Sequence, residues 1–267
     1  MIKLNLGRNC LKVIIRTYGI KEIFIPYYSC KTVWQACREE NCKINFYHIG
    51  KDFMPMCEFP KDAFILYINY FGVFGTNCEI LAQKYKNLIT DNTQAFYATH
   101  CGIASFNSLR KFFHVQNGAY LQIEKEPVLN FETDNLKLPN ANMHDNYVLF
   151  RQNELTLNDE PIKLISPEVE AQMGKIDFER DKNQRAEIFM EYAKRFDKYN
   201  LIKLPPLNGS IPYCYPICTN DEKILKKFEG LTILRLWDEI PKSFNEYEFL
   251  HNVASLPLNK YIYKTLM

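Results

Sequence analysis

An α/β fold built on a largely parallel sheet is what this sequence predicts, on three observations. Helical and strand-like patterns alternate over the first 125 or so residues. Such alternation is the mark of strand–helix–strand units. The run "AFILYINYFG" (Ala63–Gly72) is almost wholly apolar, as a strand covered on both faces must be. The run "NLITDN" ends a short apolar stretch on Asp91, at the carboxyl end of a strand, where open α/β sheets bind their ligands.

Each element follows in order. "NCLKVIIRTYG" places apolar residues at helical spacing and closes on Gly19, which suits a helix C-terminus. "EIFIPYY" is a short buried strand stopped by Pro26, "CKTVWQACREEN" an amphipathic helix and "KINFYHI" a strand. After Ala63–Gly72 come the helix "CEILAQKYK", the strand "NLITDN", the strand "IASFNS", and "GAYLQIE", a strand entered through a glycine turn. Residues 126–165 are polar and irregular, with "LKLPNANMHDN" as a loop. One long helix is expected from Ser166 to about Tyr199, opened by "SPEVE" with serine at the N-cap and proline at the first helical position. "LPPLNGSIP" breaks it. The short strands "YCYPI" and "LTILRLW" and the helix "NDEKILKKFEG" then suggest a second, smaller α+β domain. The expected division is residues 1–165 and residues 166–267.

Composition excludes several function classes. Hydrophobic residues are 47% and charged residues 24%, a globular balance. A net charge of +2 is too small to argue for nucleic acid or an acidic membrane surface. No apolar run approaches the ~18 residues needed to span a bilayer, and the first residues lack the pattern of a signal peptide. A cytoplasmic protein with reduced thiols is expected from nine scattered cysteines. The pairs Cys37/Cys42 and Cys214/Cys218 have no matching second pair, so no metal is expected. P-loop, dinucleotide, nucleophile-elbow and HExxH motifs are all absent.

Three segments carry chemistry. "LNLGRNCL" sets Gly7 before a helix whose first turn is Arg8–Asn9–Cys10. Free backbone N–H groups there form an anion site, although a helix-leading glycine is also common without one. "LITDNTQAF" puts Asp91 at a strand end with Gln94 three residues on; a plain helix-capping carboxylate is the simpler alternative. "SLRKFF" gathers Ser108, Arg110 and Lys111, and Lys111 alone reads as a surface lysine. Together the three match the needs of pyridoxal phosphate. That cofactor requires a lysine amine, a carboxylate against its pyridine nitrogen, and a phosphate cup of N–H, hydroxyl and cationic groups.

On these segments the chain resembles the DegT/DnrJ/EryC1/StrS family of sugar aminotransferases, of the fold type I class. "GRNCLKVIIRTYGIKEIFIPYYSC", "YFG", "DNTQAF" and "FNSLRKFF…NGAYL" are similar to that family's phosphate helix, strand end, loop, Asp-x-x-Gln and Ser-x-x-Lys segments. "SPEVEAQMGKIDFERDKNQRAEIF" and "SLPLNKY" resemble its later stretches more loosely. The resemblance implies that Lys111 holds the cofactor and shuttles a proton, and that Asp91 pairs with the pyridinium nitrogen. Gln94 would bond the phenolic oxygen, and Ser108, Arg110 and Gly7–Arg8–Asn9 would hold the phosphate. Tyr28 and Cys30 would lie over or beside the ring.

It also implies a homodimer that moves an amino group from glutamate to a keto-sugar, nucleotide-linked, in surface polysaccharide or related glycan synthesis. Set against the family, the chain reads as a shortened member, with Leu6 where serine is usual and Asn259–Lys260 where Asp and Arg are usual. His114–Gly118 replaces a glycine-rich acidic turn. These departures keep open a catalytically silent subunit, and a decarboxylase or dehydratase using the same cofactor stays open because substrate-side residues decide the reaction type. Trp34 and Trp237 read as core or interface residues, and His48, His100, His144 and His251 show no relay spacing.

Overall fold

Seven strands make one sheet in the order β1-β7-β6-β5-β4-β2-β3, and the functional segments converge on its carboxyl edge. The computed structural model describes residues 1–135, 157–228, 233–237 and 240–259. The loop expected at "LKLPNANMHDN", His144 and Lys260 lie outside the described residues.

The strands β2 (Glu22–Pro26), β3 (Lys43–Tyr47), β4 (Ile65–Ile68), β5 (Leu88–Asp91) and β6 (Ala104–Phe106) pair in parallel, while β7 (Ala119–Ile123) and β1 (Ile2–Leu4) add an antiparallel edge. β4 is buried at all four positions, because helices cover both faces of its sheet. The ladder aligns Ile68, Asp91 and Phe106, so three strand ends share one edge.

The helix α1 (Gly7–Tyr18) buries Cys10, Leu11, Val13, Ile14 and Ile15. It ends on Gly19 in the left-handed conformation, φ 65°, whose N–H donates to the Arg16 carbonyl. Its N-cap is Leu6, which has no side-chain acceptor. The helices α2 (Lys31–Glu39) and α3 (Gly75–Lys84) complete this half.

The predicted long helix is instead two. α4 (Pro167–Met173) is capped by Ser166, whose Oγ accepts from the Val169 N–H, and it stops at Gly174. Asp177 then caps α5 (Phe178–Phe196) by accepting from the Arg180 N–H. The glycine breaks the first helix and a new N-cap starts the second, so Ser166–Tyr199 is not continuous. Beyond α5, β8 (Cys214–Ile217), β10 (Ala254–Pro257) and β9 (Leu234–Arg235) form a separate antiparallel sheet in that order. α6 (Glu222–Phe228) and α7 (Tyr247–Leu250) lie between these strands in sequence. Among the described residues no helix is long and apolar enough to cross a membrane.

The unusual turn after Lys111 is a packed element. The Asn117 Nδ2 donates to Asp134 Oδ2 at 2.7 Å, with both side chains buried, and the Gly118 N–H donates to the Asn5 carbonyl at 2.6 Å. Gly118 sits at φ +104°, and a Cβ there would come within 2.7 Å of Leu109 and 3.0 Å of Ile165. Gly118→Ala is expected to cost about 2–4 kcal/mol by backbone strain and overpacking together, measured as the loss in urea-unfolding free energy.

Candidate active site

One cavity at the carboxyl edge of the sheet is lined by Gly7, Arg8, Cys30, Asp91, Ser108, Arg110 and Lys111. These are seven of the ten residues singled out in the sequence, brought from four separate elements. Asp91 ends β5, and Gly7 and Arg8 open α1. Cys30 caps α2 after the β2 strand end. Arg110 and Lys111 stand on a 3-10 turn, Leu109–Lys111, between β6 and β7, with Ser108 at its N-cap.

Lys111 is partly covered. Burial is the main cause that holds its amine below the ordinary lysine range, and Arg110 adds to it, while Cys30, Asp91 and Cys214 act the other way. Asp91 is 3% exposed. Burial pushes its carboxyl above the usual carboxylate range, opposed by the Thr93 N–H that donates to Oδ1 at 2.8 Å and by Lys111. The Arg110 guanidinium is brought down to about 10, by burial first and by the nearby Arg8 second. The two guanidiniums thus repel each other across a site where a bound anion would reverse the balance. Arg8 also donates to the Asn158 carbonyl at 2.8 Å.

Three predicted residues line no part of the cavity. Asn9 is fully buried, its Nδ2 donating to Asn5 Oδ1 and the Pro161 carbonyl. It lies two residues beyond Gly7, and such residues do not share a helix face. Tyr28 is buried against Trp237, with ring centroids 4.7 Å apart, and its hydroxyl donates to the Leu236 carbonyl. Gln94 accepts the Phe71 N–H on Oε1 at 2.7 Å, which leaves its buried Nε2 without a partner among the described residues.

The sequence reading passed over Thr93, Thr32 and Trp237, which also line the cavity. Thr93 stands within the Asp91–Gln94 segment and could have been found there. Trp237 arrives from the C-terminal part of the chain, and nothing in its flanking residues signals that placement. His114 is exposed and does not line the cavity.

The donor set fits pyridoxal phosphate. It comprises a buried carboxylate, an amine held below its usual pKa, a cationic pair and a hydroxyl. Gly7 completes it, since a Cβ there would stand 3.1 Å from the Asn107 carbonyl oxygen and fill the helix mouth. The cavity holds about 90 Å³. Cys30 and Trp237 also wall an adjoining aromatic pocket of about 450 Å³, so the two spaces share a wall. Trp237 sits at φ +48°, and its ring is expected to move when pyridoxal phosphate binds. Saturating cofactor should change tryptophan emission by at least about a third, on the premise that an aromatic ligand contacts the indole. Trp237→Phe, which leaves only Trp34, should remove most of that change.

The sequence matches no family model and no curated protein. Solved structures do match over nearly the whole chain. An aminotransferase described as DegT DnrJ EryC1 StrS, from Brucella abortus, is 12% identical with a TM-score of 0.63, covering 99% of this chain and 83% of its own. NtdA from Bacillus subtilis, with bound cofactor PMP, is 15% identical with a TM-score of 0.64, over 100% and 71% of the two chains. The sugar aminotransferase CalS13 from Micromonospora echinospora is 10% identical with a TM-score of 0.65, over 99% and 85%. At these identities the likeness establishes the fold: the mostly parallel α/β architecture expected from the sequence is the one these structures share.

Proposed function

We propose that this chain is a pyridoxal phosphate-dependent aminotransferase of the DegT/DnrJ/EryC1/StrS kind. It transfers an amino group from glutamate to a keto-sugar, nucleotide-linked, in glycan synthesis. The observation that carries the reading is the meeting of Lys111, Asp91, Arg8 and Arg110 around one cavity at the carboxyl edge of the sheet. The names of structures sharing the fold support it, one an aminotransferase, one a sugar aminotransferase and one holding PMP. The proposal extends to a homodimer in the cytoplasm, with residues 1–165 holding the cofactor and residues 166–267 closing on the substrate.

When bound, the cofactor supplies a carbonyl that condenses with amines and a ring that accepts electrons. The chain's residues do the rest. Arg8, Arg110, Ser108 and the α1 N-terminus hold the phosphate by charge and hydrogen bonding. Asp91, a buried carboxyl at the strand end, would hold a proton on the ring nitrogen by pairing its carboxylate with the charge that proton brings. Lys111, whose pKa is lowered by burial, offers more neutral amine at a given pH than a free lysine, and that amine can both attack a carbonyl and carry a proton to and from the substrate carbon. Gln94 Nε2, buried and without a partner among the described residues, would reach the phenolic oxygen only if the cavity opened toward it.

The altered His114–Gly118 turn favours one second reading, a silent relative that retains the residues without the chemistry. Purified protein mixed with pyridoxal phosphate should develop a visible absorption band, and excess glutamate should convert it to the pyridoxamine spectrum. No band supports the silent reading. A band that glutamate leaves unchanged, while another amino acid or a decarboxylase assay gives turnover, removes glutamate from the account.

A further inference from the structure

Strand pairing fixes Asp91 but stops short of Lys111. The ladder between β5 and β6 ends at Asp91 opposite Phe106, and the chain then runs through Asn107 and Ser108 to the 3-10 turn Leu109–Lys111. A lysine at the end of such a turn is held less firmly than a carboxylate in a central strand, and its placement needs another constraint.

α5 supplies one. Arg185 is 9% exposed. Its Nη2 donates to the carbonyl of Phe112, the residue after Lys111, at 2.9 Å. Its Nη1 donates at 3.2 Å to the carbonyl of Tyr213, the residue before Cys214, and Cys214 is among the groups acting on Lys111. The guanidinium carbon lies 4.5 Å from the Phe112 ring centroid. Nε donates to Asp181 Oδ2 at 2.7 Å, one turn back on the same helix, and that oxygen also accepts from the Tyr97 hydroxyl at 2.7 Å. Tyr97 belongs to the loop that follows Asp91. One helix therefore grips the loop after Asp91 through Asp181 and the Lys111 turn through Arg185.

We infer that Arg185, oriented by Asp181, is a positioning residue that sets the Lys111 amine against Asp91 by anchoring the Phe112 carbonyl. The inference rests on the functional reading above. The planar guanidinium is what the geometry requires: it reaches two carbonyls and a carboxylate while lying over a ring, and a lysine ammonium cannot match that fork. A displacement of Lys111 on the ångström scale lowers the rate of its reactions far more than it loosens a pocket that binds the rest of the ligand.

Two ligands separate these effects. Pyridoxal phosphate reports capture by the Lys111 amine, whereas pyridoxamine phosphate lacks the aldehyde and reports only the cavity. Arg185→Ala, Arg185→Lys and Asp181→Asn are to be compared with wild type, the latter two serving if the alanine variant does not fold. Capture of pyridoxal phosphate, followed by absorbance and by borohydride fixation, should slow at least about tenfold. Affinity for pyridoxamine phosphate should stay within about twofold, and Asp181→Asn should show the smallest defect because the fork remains. Parallel loss of capture and pyridoxamine affinity makes Arg185 merely structural and overturns the inference, as does unchanged capture in every variant. Wild-type protein that captures no pyridoxal phosphate overturns the functional reading and this inference with it.

Discussion

Lys111→Ala is expected to lower transamination by about 10³-fold or more, the scale for losing a general acid–base group that also acts as nucleophile. The variant should still bind pyridoxamine phosphate, because Arg8, Arg110, Ser108 and Asp91 remain around the cavity. The direction of the wild-type pH dependence follows from burial. The Lys111 pKa is lowered, and the neutral amine is the reactive form. Capture of pyridoxal phosphate should therefore rise with pH through an apparent pKa below the ordinary lysine range. A capture rate that rises only as a free lysine ionises would contradict this assignment. Stopped-flow absorbance across pH 6 to 10 makes the comparison.

Asp91→Asn should be the second large loss, about 10²–10³-fold in turnover, comparable to removing one preorganised electrostatic group from a dry site. Asparagine keeps the shape of the side chain and can still accept from the Thr93 N–H, which donates to Asp91 Oδ1 in the wild type. It carries no charge to hold a proton on a ring nitrogen. Turnover should fall while folding is preserved. Stability may be compared directly, since Asp91 is a buried carboxylate with a raised pKa. Such a group favours the folded state less when ionised than when protonated, so the neutral asparagine should be tolerated. If Asp91→Asn turns over at the wild-type rate, Asp91 is only a cap for the turn that follows it.

The sheet was legible because its physics is local. Continuous apolar runs such as Ile65–Ile68 are what a doubly covered strand requires, and Asp91 ends such a run. The Lys111 turn was legible only jointly: Lys111 alone reads as a surface lysine, and Gly7, Asp91, Gln94 and Ser108 with it make the set that a pyridoxal phosphate site needs. What was missed depends on distant contacts. β1 is three residues long and β10 four, and both are defined by strands remote in sequence. Asn9 belongs to the helix start that the resemblance assigns to the phosphate, and its side chain turns instead onto the carbonyl of Pro161. Trp237 reads as a core residue from its flanks, and only the packing of the C-terminal segment brings it to the cavity wall. Gly174 inside "SPEVEAQMGKID" carried the signal that divides the long helix, and helical periodicity on both sides obscured it.

The most direct measurement of the central claim is borohydride reduction of the protein loaded with pyridoxal phosphate, followed by peptide mapping. One phosphopyridoxyl group per chain is expected on the peptide containing Lys111, and none on that peptide in Lys111→Ala. Label on Lys12, Lys31 or other lysines with Lys111 left unmodified would contradict it.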